Sequence, residues 1–91
     1  MAQIIKSSGV VIEVTPKNGT DFSLEELQEI VGGYIEIVPL NDRCIIVCDE
    51  EGKLKNYPLN QKATELLNRN SYCVEGTIVG DVLVCDSEQV K

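Results

Sequence analysis

The sequence predicts an α+β domain: a mainly antiparallel sheet of four to six strands carrying two short helices. Three observations predict it. Val10, Ile12 and Val14 alternate with Val11, Glu13 and Thr15, the period of a half-buried strand. Ser23 and Glu26 have the spacing of a capping box and open an apolar stripe at helical spacing. Between Gly32 and Gly52, two runs rich in β-branched residues flank a short polar turn. The order strand, helix, strand, strand, helix, strand is that of the ferredoxin-like split unit. A curved, barrel-like sheet with two helices is the alternative.

Ile4 to Val14 is the first strand region, with Ser7-Ser8-Gly9 placed to bend or bulge it. Pro16 to Thr20 is a loop with Asn18-Gly19 as its turn signal. Ser23 then caps the first helix, Glu26 completes the box, and Phe22 with Leu27 is spaced as a hydrophobic staple. Glu25 and Glu26 suit the positive end of the helix dipole. Leu24, Leu27, Ile30 and Val31 form its stripe, and Gly32-Gly33 stops it. That glycine pair follows a helix instead of preceding one, so it is no phosphate-binding turn.

Tyr34 to Val38 is the second strand, ended by Pro39 and the turn Leu40-Asn41-Asp42. Cys44 to Cys48 is the third, apolar on both faces. Asp49 to Gly52 is a turn, and Lys53-Leu54-Lys55 reads as a short edge strand blunted by lysine. Asn60 caps a second helix, Gln61 to about Asn68, with Ala63, Leu66 and Leu67 as its narrow apolar face; Asn68 to Ser71 ends it. Gly76 to Gly80 leads into the last strand, Asp81 to Cys85, again apolar on both faces. The stretch 87–91 is a polar tail expected to fray.

Length and composition bound the function. The 91 residues, 43% of them hydrophobic, suffice for one ordered domain over 1–91 and not for two. No apolar run approaches the ~20 residues of a membrane span, and Met1 to Lys6 lacks the pattern of a signal peptide. The expectation is a cytoplasmic protein without a membrane partner. A net charge of −7 disfavours duplex DNA, where affinity comes from neutralising phosphates. The chain has no histidine, which removes the commonest general base and a usual zinc ligand.

The four cysteines read as small buried apolar residues. Cys44 and Cys48 on one strand stand roughly 13 Å apart at ~3.3 Å per residue, too far to share a disulfide or a zinc ion. Cys73 and Cys85 share no chelating spacing with them. Neither metal nor cofactor is expected.

Two short helices cover only part of such a sheet, yet two strands are apolar on both faces. A second subunit is the simplest further cover, so a homo-oligomer is expected.

The run Gly33 to Leu40, then Val47 to Gly52, Tyr57 to Thr64 and Ile78 to Val84 resembles a family of small domains of unknown function found in bacteria, phages and conjugative elements. The resemblance spans about residues 30 to 86. It implies a mobile-element setting and a cytoplasmic protein, and it carries over no catalytic residue.

Function therefore has to be sought in patches. Arg43, Lys53, Lys55, Lys62 and Arg69 are five of the eight basic residues and fall within 27 positions. With Tyr34, Tyr57 and Asn60 to stack or hydrogen-bond, they suit a small anionic ligand. The candidate ligand-binding set is Arg43, Lys53, Lys55, Tyr57 and Asn60. The plainer reading is a solvated face paired with Asp49, Glu50, Glu51 and Glu65. Asp49-Glu50-Glu51 lacks the ligand spacing of a calcium loop. No nucleophile stands in a recognisable elbow, and no cysteine has a histidine to activate it, so an enzyme is not expected.

The expected function is a small non-enzymatic binding protein of a phage or mobile element. It would bind an unknown host protein or a small anionic ligand. Alternatives are a sponge for nucleotide signals of host defence and an acidic mimic of DNA.

Overall fold

Alternation and capping both shape the observed architecture. The computed structural model describes residues 2–41, 43–70 and 76–90. The strands are β1 (Ala2–Ile5), β2 (Val11–Val14), β3 (Ile35–Pro39), β4 (Cys44–Asp49) and β5 (Val82–Asp86); the helices are α1 (Leu24–Val31) and α2 (Gln61–Asn70). They form one open sheet of order β2-β1-β5-β4-β3, with every neighbouring pair antiparallel. The α+β class therefore stands. The sheet is open, so it does not close into a barrel, and the ferredoxin-like order is not confirmed: β5, last in the chain, lies at the centre.

The first strand region is two strands. Ser7-Ser8-Gly9 turns the chain fully, with the Gly9 N–H donating to the Lys6 carbonyl and the Lys6 N–H to the Val10 carbonyl. Gly9 supplies the positive φ that this turn needs. Lys53-Leu54-Lys55 is no strand. It belongs to a compact turn in which the Lys55 N–H bonds the Glu51 carbonyl and the Tyr57 N–H bonds the Gly52 carbonyl.

α1 begins as its sequence dictates. The Ser23 side chain accepts from the Glu26 N–H, and the Glu26 carboxylate accepts from the Ser23 N–H. These bonds, with one from the Lys17 N–H, hold the Glu26 carboxyl below its ordinary pKa. Gly32 closes the helix in the left-handed conformation and donates to the Gln28 carbonyl. Asn60 caps α2 by accepting from the Ala63 N–H. That helix runs to Asn70, two residues beyond the expected end.

The helices take opposite faces of the sheet. Leu27 and Val31 of α1 pack with Ala2, Phe22, Ile45, Val47, Leu83 and Cys85. Ala63 and Leu67 of α2 pack with Ile5, Leu40, Ile46, Cys48, Ile78 and Val82 on the other side. This is why β4 and β5 are apolar on both faces: each is a central strand with a helix above and below. A second subunit is not required to cover them, so that premise for an oligomer falls away.

The tail departs from expectation too. Ser87–Gln89 is a turn of 3-10 helix; Val90 bridges Phe22 in parallel, and the Phe22 N–H donates to the Gln89 carbonyl at 2.7 Å. Val90 adds its side chain to the α1-side core. Burial of one apolar residue anchors a segment that composition alone reads as frayed. Cys73, Asp42, Ser71 and Lys91 lie outside the described residues.

Candidate functional site

The site is built where β4 ends. Asp49 is the last residue of β4, and its side chain is 1% exposed. A buried carboxylate must be fully bonded. Oδ1 accepts from the Glu51 N–H at 2.8 Å, an Asx turn that starts the loop. Oδ2 accepts from Lys55 Nζ at 2.8 Å, and Lys55 also reaches the Gly32 carbonyl at the end of α1 at 3.4 Å. Burial alone would raise the Asp49 carboxyl. The bonds from Lys55, the Glu51 N–H and Tyr57 outweigh it and hold the group below its ordinary value. The same Asp49 bond raises the Lys55 ammonium.

Tyr57 closes the knot. The Lys55 ammonium stands 5.7 Å from the centre of its ring. That ring lies on two backbone segments: a Cβ at Gly80 would fall 2.6 Å from Tyr57 Cδ2, and one at Gly32 would fall 3.0 Å from its hydroxyl. A Cβ at Gly33 would fall 2.5 Å from Lys55 Nζ and 2.9 Å from Asp49 Oδ2. The glycines thus let α1, the loop after β4 and the approach to β5 converge on one ion pair.

Beside the knot is an open depression of about 660 Å³. Glu25 and Glu29 of α1, Glu51 of the loop, Gly33, Tyr34 and the outer side of Lys55 line it. Tyr34 is 66% exposed. Three carboxylates face one ammonium that Asp49 already neutralises. Among the described residues the depression is therefore negative, with no unpaired positive charge for an anion.

The expected ligand-binding residues separate. Lys55 and Tyr57 come together about Asp49. Lys53 is exposed on the same loop and borders a different recess, with Glu36, Glu50 and Leu54. Arg43 precedes β4, about 20 Å from Asp49 at ~3.3 Å per residue, beside Asp86, Ser87 and Glu88. Asn60 is fully buried: besides capping α2, its Nδ2 donates to the Ile5 and Gly80 carbonyls, each at 2.8 Å. That amide is fully used inside the protein. Asp49 was legible as a turn starter, with glycine three residues on. Its pairing with Lys55 is among those expected of a solvated face, but the carboxylate is buried, and that burial depends on where α1 and β5 lie.

Cys48 and Cys85 are buried free thiols, and burial pushes each up to about 11. Carboxylates add to this, Glu36 and Asp49 at Cys48 and Asp86 at Cys85. Such thiols are protonated and poor nucleophiles at neutral pH. Among the described residues no group of three or more potential metal ligands gathers. No described helix is long and apolar enough to cross a membrane.

The fold and this site define a small α+β domain whose helices flank an open antiparallel sheet and which carries an acidic depression beside α1. The chain belongs to a family of domains of unknown function, DUF3846, whose model matches residues 4–90. No curated protein and no solved structure matches it.

Proposed function

We propose that the protein is a non-enzymatic protein-binding module, and that the acidic depression beside the Asp49–Lys55 pair receives a basic segment of another protein. The charge arrangement supports this reading: Glu25, Glu29 and Glu51 line the same depression as an exposed Tyr34, while the lysine that borders it is bound inward to Asp49. An aromatic ring rimmed by carboxylates suits a lysine or arginine side chain. A small anion fits the same surface poorly, since the five basic residues that would attract it are dispersed. The proposed setting is the cytoplasm of a bacterium carrying a phage or other mobile element, with a host protein as target.

The test is a titration of isotopically labelled protein with an arginine- and lysine-rich peptide, and separately with a cyclic dinucleotide, at physiological ionic strength. The peptide is expected to shift the backbone resonances of Gly33, Tyr34 and Glu51, and the triple change Glu25→Gln, Glu29→Gln, Glu51→Gln to abolish the shift. Nucleotide binding that is lost on replacing Arg43 and Lys53 by Ala would overturn the proposal in favour of anion capture.

A further inference from the structure

We infer that β2 is the interface of a homodimer, pairing antiparallel with the β2 strand of a second copy about a two-fold axis at Ile12. The inference is independent of the acidic depression, which lies by the β3 edge of the sheet.

The backbone at this edge is ready for pairing. The Lys6 N–H donates to the Val10 carbonyl, so Lys6–Val10 is a hydrogen-bonded pair of the β1–β2 ladder. Alternation makes Ile4–Ile12 and Ala2–Val14 hydrogen-bonded pairs as well. Val11 and Glu13 therefore aim their N–H and C=O groups away from β1, along the open edge. Such a row is a template for another strand.

The side chains favour the same step. Val10, Ile12 and Val14 share the α1 face with Ile4, and Val11 shares the α2 face with Ile5. Neither helix covers this hairpin fully. Val10 is 51% exposed, Val11 42% and Ile12 40%. The chain carries 15 acidic residues, yet Glu13 is the one charged residue between Val10 and Val14. An edge so exposed and so sparsely charged invites apolar burial.

The strand is complementary to itself in one register. With Ile12 opposite Ile12 of the second copy, Val10 meets Val14 and Val14 meets Val10, giving a continuous six-residue apolar stripe on the α1 face. On the other face Glu13 lies opposite Val11, so no like charges stand directly across. The outward groups of Val11 and Glu13 meet their counterparts at each crossing. Self-complementarity of this kind is what an isologous interface needs, and it singles out a second copy over an unrelated extended peptide.

Sedimentation equilibrium and register-specific cross-linking test it. The wild type is expected at twice the chain mass of 10.0 kDa. Glu13→Pro removes an outward donor without touching the β1–β2 ladder, and should halve the mass while leaving the circular dichroism spectrum unchanged. Ile12 and its counterpart form a non-hydrogen-bonded pair, where side chains lie closest. Ile12→Cys should therefore give a disulfide-linked dimer on mild oxidation, while Val10→Cys and the wild type should not. A wild type that stays monomeric at its highest soluble concentration would overturn the inference. So would a dimer that Ile12→Cys fails to link. The cross-linking arm decides the matter should Glu13→Pro not fold.

Discussion

The two edges of this sheet are built to opposite rules. On β3 the Glu50 N–H bonds the Tyr34 carbonyl, and the Leu40 N–H bonds the Cys44 carbonyl. The residues that face outward are therefore Ile35, Ile37 and Pro39. Proline has no N–H to offer, so it occupies the position where a donor would invite another strand. Exposed Glu36 and the Asp49–Lys55 knot flank that edge with charge. β2 has no proline, one acid and a run of exposed valine and isoleucine. The difference teaches that exposure of apolar residues on a small sheet is informative only beside the backbone groups that go with it. Ile37 is 46% exposed on β3, yet its edge is blunted; Ile12 is less exposed and its edge is open.

The largest effect on this contrast should come from Asn60→Ala. Asn60 ties β1 to α2 through the Ile5 carbonyl, and β2 hangs on β1. The change removes a helix cap and strands two buried carbonyls, at a cost of about 2–4 kcal/mol. Urea titration measures the loss, and hydrogen exchange should locate it at the β1–β2 hairpin before the β3–β4 pair.

Next is Gly80→Ala. Its φ of +76° and the Tyr57 ring 2.6 Å from a new Cβ leave no strain-free arrangement. The cost is about 1–3 kcal/mol. It should loosen the Tyr57–Lys55–Asp49 knot and so the β3 end of the sheet, as thermal melting and tyrosine fluorescence would read.

Asp49→Asn acts on the same end and exposes a pH dependence. The folded carboxyl lies below the ordinary value, so the unfolded chain binds the proton more tightly. The stability Asp49 contributes is whole above the ordinary pKa of about 3.9 and is lost as pH falls through the lowered folded value. The variant should cost about 1–2 kcal/mol at neutral pH and less in acid. Melting temperatures across the acid range check this; parallel curves for the two proteins would show that the pair carries no such linkage.

Pro39→Ala should have the smallest effect on stability, within about 0.5 kcal/mol. Its interest lies in association. It restores a third outward donor to β3, and light scattering should detect concentration-dependent self-association that the wild-type β3 edge lacks.

Much of this fold was legible in the chain. The capping box at Ser23 and Glu26, the glycine stop at Gly32 and the Asn60 cap depend on residues within a few positions, and they formed as their spacing dictates. The two-faced strands Cys44–Cys48 and Val82–Cys85 were legible as well, but not their cover. Whether a helix or a second subunit supplies it depends on crossing sides, and the α1–β3 and α2–β5 connections do not announce theirs. The candidate site was less legible for the same reason. Lys53 and Lys55 are two residues apart, yet only Lys55 reaches Asp49, because the loop turns it inward. Arg43 is near them in sequence and a strand's length away in space. Val90 looked like part of a polar tail, and only its bridge to Phe22 makes it core.

Amide hydrogen exchange at low and high protein concentration tests the contrast between the edges most directly. Exchange at Val11 and Glu13 should slow as concentration rises, while Ile35 and Ile37 keep one fast rate throughout. Equal behaviour at the two edges, or concentration-dependent protection at Ile35 and Ile37 instead, would contradict the account.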